Sequence, residues 1–186
     1  MKAQEQLIVV SHYFVPRTKG LRFFQKLRDR GIEVAIVTNS LAANNHTSVH
    51  AGYAPSRKPL LQMGVRIFEV RTTASMEEAK KTGNEDALAT LHTKAFIVDR
   101  REVFIGSFNF DPRSANINTE LGVIIRSPEL AEEFAASIEK QIASQTFAVF
   151  LNEKGQVRWR GYDDDGTEVI LDKEHQTTAG QRLRAG

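Results

Sequence analysis

Hydrophobic positions in the first half of the chain recur with two alternating periods. LIVVSHYF (7–14) is an apolar run of strand length, whereas LRFFQKLRDRG (21–31) carries a helical stripe stopped by Gly31. EVAIVTNS (33–40) predicts a second strand and VRIFEV (65–70) a third. Between them SRKPLLQMG (56–64) reads as a short helix that starts near Pro59 and ends at Gly64. Strand–helix–strand–helix–strand implies right-handed crossovers and parallel pairing. ASMEEAKKTGNEDALAT (74–90) is polar and predicts a surface excursion. Residues 91–123 then supply two or three strands with short connections, the more antiparallel part of the sheet.

SPELAEEFAASIEKQIASQ (127–145) predicts a helix with Ser127 as N-cap, Pro128 at its first position and Glu129 in its first turn. Leu130, Phe134, Ile138 and Ile142 are its expected buried side. Residues 147–171 read as β-hairpins turning near Lys154-Gly155 and Asp165-Gly166. The tail HQTTAGQRLRAG has no packing pattern and is expected to be frayed or cut short. The expected class is α/β: a mixed, largely parallel central sheet flanked by helices on both faces. Two segments follow, a catalytic domain over 1–146 and a C-terminal β-hairpin extension with the frayed tail over 147–186.

Composition narrows the chemistry. The 186 residues hold 41% hydrophobic and 26% charged positions, ordinary for a globular protein. With no cysteine, thiolate catalysis and zinc–thiolate sites are excluded. A net charge of +2 is too slight to argue for nucleic acid by itself.

One stretch breaks the apolar pattern. In LHTKAFIVDRREVFIGSFNFDPRSANINTELGV (91–123) a histidine and a lysine occupy strand positions that should be apolar. Side chains two apart on a strand share a face, so His92 and Lys94 point the same way. Asp99 falls on the opposite parity, at a turn, and is expected to fix that turn or orient a neighbour. Ser107 and Asn109 share one side of GSFN, and Gly106 permits close backbone approach. His92, Lys94, Ser107 and Asn109 therefore form one polar cluster suited to a phosphodiester. Lys94 supplies charge for non-bridging oxygens, Ser107 and Asn109 donate hydrogen bonds, and His92 attacks phosphorus or carries a proton. Glu120 is the candidate acceptor that fixes the imidazole tautomer.

HTKAFIVD followed by GSFN resembles the HxKxxxxD…GSxN (HKD) signature of the phospholipase D superfamily. DPRSANINTELG resembles the continuation in its bacterial phosphatidyltransferases, and VVSHYFVP, VTNSLAANNHTSVHAGY and RKPLLQMGVRIFEV are similar to the second half of C-type cardiolipin synthases. His12 and Ser56 depart from the pattern, standing where proline and an aromatic are usual. The resemblance implies catalytic roles at His92, Lys94, Asp99 and Glu120. It implies phosphate binding at Lys94, Ser107 and Asn109, with Gly106, Arg113, Ser114 and Asn118 in support. It also implies a phosphohistidine intermediate, no metal and no other cofactor. The superfamily's synthases carry two HKD motifs per chain and here there is one, so a second half is expected by homodimerisation or from a separate N-terminal half. The implied substrate is a glycerophospholipid, with the protein cytoplasmic and peripheral at the inner membrane face. A homodimeric single-motif endonuclease and an inactive phosphate- or lipid-binding fragment are the alternatives; the lipid-like neighbourhoods argue against nucleic acid.

Other features carry less. His46 and His50 are four apart, but Thr47 replaces the glutamate of a zinc helix. His50 lines the pocket or serves the fold, and both readings stand; for His12, at a strand end, a structural role is favoured over bordering the site. Asp163-Asp164-Asp165-Gly166 reads as a solvated turn rather than a calcium loop. Arg158, Trp159 and Arg160 fit an ordinary hairpin better than a membrane surface. Lys19, Arg22, Lys26, Arg28 and Arg30 are expected on the solvated side of their helix.

Overall fold

The computed structural model describes residues 2–43, 47–72, 93–163, 165–174 and 177. Two strand–helix steps open the fold: β1 (Gln6–Ser11), α1 (Arg17–Asp29) and β2 (Glu33–Asn39), then α2 (Thr47–Tyr53), a single 3₁₀ turn, α3 (Arg57–Gln62) and β3 (Arg66–Val70). β1, β2 and β3 pair in parallel and in order. Two right-handed crossovers stepping the same way place their helices on one face. Phe24 and Leu27 of α1 and Leu60 of α3 accordingly pack with Leu7, Val9, Val34, Ile36 and Ile67.

The rest of the sheet is antiparallel. β4 (Ala95–Val98) returns beside β1, followed by β5 (Glu102–Gly106) and β6 (Gly122–Arg126), with the short α4 (Pro112–Asn116) between the last two. α5 (Pro128–Gln145) crosses the opposite face, and β7 (Thr146–Leu151) pairs with β3 before β8 (Val157–Tyr162) and β9 (Glu168–Leu171) close the other side. Among the described residues the sheet has nine strands in the order β6-β5-β4-β1-β2-β3-β7-β8-β9. The mixed α/β class with helices on both faces is present. The expected parallel majority is not, because only the two crossover-linked pairings are parallel and the remaining neighbours meet through hairpins or returning connections.

Local signals explain most boundaries. The Ser127 hydroxyl accepts the Leu130 N–H at 3.2 Å, capping α5. Gly155 and Gly166 take positive φ at the two C-terminal turns. Asp163 accepts the N–H groups of Asp165 and Thr167 at 3.1 and 2.8 Å, shaping its own turn; Asp164 lies outside the described residues. The buried side of α5 differs from expectation. Ala131, Ala135 and Ile138 are buried, Phe134 and Ile142 flank them, and Leu130 is exposed. Small alanines let the helix lie close to the strands. Likewise Arg28 and Arg30 are not simply solvated: they donate to the carbonyls of Met63 and Ile32, and of Ala3. The polar excursion expected at 74–90 and the tail beyond Thr177 lie outside the described residues.

Candidate active site

β4 and β5 meet through a turn in which Asp99 and Arg100 have φ of 52° and 51°. That strained pair is held by the Asp99 carboxylate, which accepts the backbone N–H groups of Gln4, Glu5 and Gln6 at 2.9, 2.8 and 2.8 Å. Partial burial opposes its charge, but these donors and Arg101 hold its carboxyl below the ordinary value. Asp99 thus ties the β4–β5 turn to the start of β1. Lys94 lies at the other end of β4, so Asp99 stands apart from the polar rim.

At that rim Gly106 faces Gly122 across β5 and β6. A Cβ on Gly106 would come within 2.4 Å of the Leu121 carbonyl, and one on Gly122 within 2.2 Å of the Phe104 ring. Side chains are excluded here, which lets the strands close so that Ser107 donates its N–H to Leu121 at 2.8 Å. The Ser107 hydroxyl accepts the Leu121 N–H at 3.0 Å and donates to the Glu120 carboxylate in a short bond. Asn118 Nδ2 donates to the other Glu120 oxygen at 3.3 Å. Ser107 and Ser114 hydroxyls, with help from Asn118 and Lys94 and against slight desolvation, lower the carboxyl of Glu120. Lys94 is half-buried; burial lowers its ammonium, with Glu120 acting against that shift. Lys94, Ser107 and Glu120 therefore form one electrostatic group.

Asn109 and Ser114 extend it. The Asn109 side-chain Oδ1 accepts the Tyr13 backbone N–H, and the Asn109 backbone N–H donates to the Ser114 hydroxyl, each at 3.3 Å. Phe110 pairs with Phe14 in a short parallel bridge, and the Ser11 hydroxyl accepts the Phe110 N–H at 3.0 Å. The end of β1 and the GSFN segment are in this way bound together. α4 follows because Asp111 caps it, accepting the N–H groups of Arg113 and Ser114 at 2.7 and 3.1 Å, with Pro112 at its first position. A cavity of about 550 Å³ lies beside these residues, lined by Tyr13, Asn109, Arg113 and Asn118 on one side and by Ser48 and Val49 of α2 on the other. Sequence reasoning missed Asp111, although Asp-Pro before a polar turn is itself a helix-start signal. It also missed α2, whose seven residues are too few to show a helical stripe.

His92 and His46 lie outside the described residues. His12 is buried, and its Nδ1 meets Asn39 Nδ2 at 2.7 Å. His50 is fully buried under the cavity wall, with Nε2 at 3.0 Å from Glu174 and 2.9 Å from Arg57. Arg57 also bonds Glu69 at 2.7 Å and Glu174 at 2.6 Å, and Tyr53 and Trp159 donate to the two Glu69 oxygens at 2.9 Å each. Trp159 is therefore core, not surface, because its indole N–H has a buried partner.

A family described as "Cardiolipin synthase, PLD-like domain" matches residues 1–142. The chain belongs to that family. It is 38% identical to cardiolipin synthase C of Escherichia coli over 96% of its own length, and spans 38% of that relative. It is 31% identical to cardiolipin synthase A of Serratia proteamaculans over 76% of the chain and 25% of the relative. Among solved structures, the phospholipase D family member Nuc from Salmonella typhimurium superposes with a TM-score of 0.57 at 20% identity, covering 75% of this chain and 78% of Nuc. Phosphatidylserine synthase from Haemophilus influenzae gives 0.59 at 18% identity, covering 78% of this chain and 34% of that one. Those two likenesses are of fold.

Proposed function

We propose that this chain supplies one half of a phospholipase D-type phosphatidyltransferase site of the cardiolipin synthase kind. The observation that carries the reading is the meeting of Lys94, Ser107 and Glu120 at one rim, linked through Asn118 to the cavity lined by Asn109 and Arg113. These are the groups a phosphodiester needs: a cation for its non-bridging oxygens, amide and hydroxyl donors, and a carboxylate to orient a neighbouring imidazole.

In this reading an unprotonated ring nitrogen of His92 attacks phosphorus. The N–P bond forms as the bond to the departing glycerol oxygen breaks, and that oxygen takes a proton from the histidine of a second HKD half. The same second histidine then takes the proton of the acceptor hydroxyl, whose oxygen displaces His92 from phosphorus. Lys94 and Asn109 hold the charge that gathers on the non-bridging oxygens. Glu120 accepts the N–H of His92 and keeps the attacking nitrogen bare. No step calls for a metal.

Two features support the second half. Among the described residues β6 is an edge strand, and beside the rim Leu121 is 81%, Val123 60% and Ile105 40% exposed. A strand edge flanked by bare apolar side chains is a surface that another chain covers. We propose a second copy or a separate N-terminal half there, with peripheral contact at a lipid surface. No helix among the described residues is long and apolar enough to cross a membrane.

Cardiolipin formation from phosphatidylglycerol vesicles tests the reading. His92→Ala chains, co-expressed with wild type in graded ratios, are expected to reduce the rate as the square of the wild-type fraction, since each site draws on two copies. A linear fall would refute sharing between copies. Substantial lipid turnover by pure His92→Ala would refute the histidine mechanism, and cleavage of DNA in place of lipid would favour the endonuclease reading.

A further inference from the structure

A second cavity, of about 510 Å³, opens on the other side of the wall formed by Val15, Arg17, Asp111 and Pro112, which it shares with the polar one. Its lining is different in kind. Phe23, Phe108 and Phe110 line it with Pro16 and Gly20, and Ala115 of α4 stands at its border. Gly20 forms a floor without a side chain: a Cβ there would lie 2.5 Å from Pro16 and 3.0 Å from the Phe110 ring. Phe23 is 45% exposed, although Phe24 beside it is fully buried.

The chemistry at the mouth is cationic. Arg17 and Lys19 line the groove, and Arg17 holds a φ of 46° where the chain turns into α1, a strained conformation for a residue with a side chain. The one carboxylate of the lining, Asp111, is engaged by the α4 N-cap and the Ser114 hydroxyl, so Arg17 and Lys19 outnumber it there. An apolar groove with cations among its lining, adjoining a polar cavity across shared residues, matches a molecule with an anionic phosphodiester joined to a hydrocarbon chain. The volume lies within the range of about 300–1,000 Å³ usual for small-ligand sites. Stacked nucleobases fit less well, because the Phe110 ring already lies against Phe14 and Phe24, at 5.2 and 5.1 Å between centroids.

We propose that this groove seats one acyl chain of the glycerophospholipid whose phosphodiester occupies the polar cavity. The inference rests on the phosphatidyltransferase reading and names which part of the lipid the protein grips besides its head group. It makes Phe23, Phe108 and Ala115 determinants of chain-length preference, with Arg17 and Lys19 holding the interfacial end.

The test measures equilibrium binding to the full chain of three monomeric probes: glycerophosphoglycerol, hexanoyl-lysophosphatidylglycerol and palmitoyl-lysophosphatidylglycerol, each below its micellar concentration. Each methylene buried contributes roughly 0.8 kcal/mol at most, so even partial seating predicts a palmitoyl probe bound about tenfold or more tighter than the hexanoyl one. Ala115→Phe fills the groove from its exposed side, and Phe23→Ser removes an exposed wall. Both should abolish the chain-length preference while leaving glycerophosphoglycerol binding unchanged, and both should leave the circular dichroism melt near wild type. Equal affinity for the two lysolipids, with glycerophosphoglycerol still bound, overturns the groove assignment alone. Retention of the preference in both variants also overturns it. Failure of glycerophosphoglycerol to bind at all brings down the phosphodiester reading and this inference with it. Tighter binding of single-stranded DNA than of palmitoyl lysolipid, lost in both variants, assigns the groove to nucleobases and overturns the lipid.

Discussion

Glu120 is held from three sides, by Ser107, Ser114 and Asn118, with Lys94 adding its charge. The carboxyl is therefore depressed, and a depressed carboxyl stays ionised as pH falls until its own lowered value is reached. Lys94 is shifted the same way for a different reason, since burial disfavours its charged form. The ionised pair accordingly extends further into acid, and less far into alkali, than free side chains would. Any activity that needs both charges should show limbs displaced in those directions. Glu120→Gln keeps an acceptor for Ser107 but removes the charge that orients an imidazole. The expected result is a loss of about 10²–10⁴-fold in kcat with a much smaller change in KM and an unaltered melt. An unchanged kcat would remove Glu120 from the mechanism.

At the scale of elements, the wall of the polar cavity depends on a segment distant in sequence. α2 supplies Ser48 and Val49 to that wall, and His50 and Tyr53 of the same helix are tied to Arg57, Glu69 and Glu174. Arg57 lies between the Tyr53 and Trp159 rings, 4.9 and 5.2 Å from their centroids. Burial opposes its charge, but Glu69, Tyr53 and Glu174 outweigh that and keep the guanidinium more basic than usual. Glu174 is the outermost member. Burial would raise its carboxyl, yet His50 and Arg57 pull it from 4.5 down to about 2. A carboxyl depressed by folding adds stability that is complete above its unfolded value and is lost as pH falls through the folded one. Glu174→Gln should thus lower the unfolding free energy at neutral pH by roughly 1–3 kcal/mol, and the two proteins should converge as the pH approaches about 2. Urea titrations followed by Trp159 fluorescence measure this. A constant gap at all pH values would mean that the loss is one of packing, not of charge.

At the scale of the whole molecule the polar rim of the candidate site lies beside β6, which among the described residues is the edge of the sheet. Leu121 follows Glu120 directly, and Val123 pairs with Ile105 in register, so exposed apolar surface adjoins the polar rim. If a second half docks there, Val123→Lys should shift the solution mass toward monomer and reduce phosphatidyl transfer at least about tenfold, without lowering the melting temperature. Light scattering and the vesicle assay together decide it. A variant with native mass and activity would place the partner elsewhere.

Patterning by itself determined the elements whose periodicity is strong and local: β1 to β3, α1, the capped α5 and the two glycine turns of the C-terminal hairpins. Parity also grouped His92, Lys94, Ser107 and Asn109 as an expected cluster, offered Glu120 as the acceptor for the imidazole, and turned Asp99 away from them. His92, on which the proposed chemistry depends, lies outside the described residues and rests on the motif alone. Tertiary structure alone decided the rest. The antiparallel majority depends on which strands become neighbours, and periodicity does not encode neighbours. α5 buries Ala131 and Ala135 because a close sheet selects small side chains, a choice invisible in the helix taken alone. Arg57, Glu69, Trp159 and Glu174 read singly as surface residues. The first three are buried and Glu174 half-buried because each satisfies another from a distant part of the chain, and such mutual satisfaction exists only once the chain has folded.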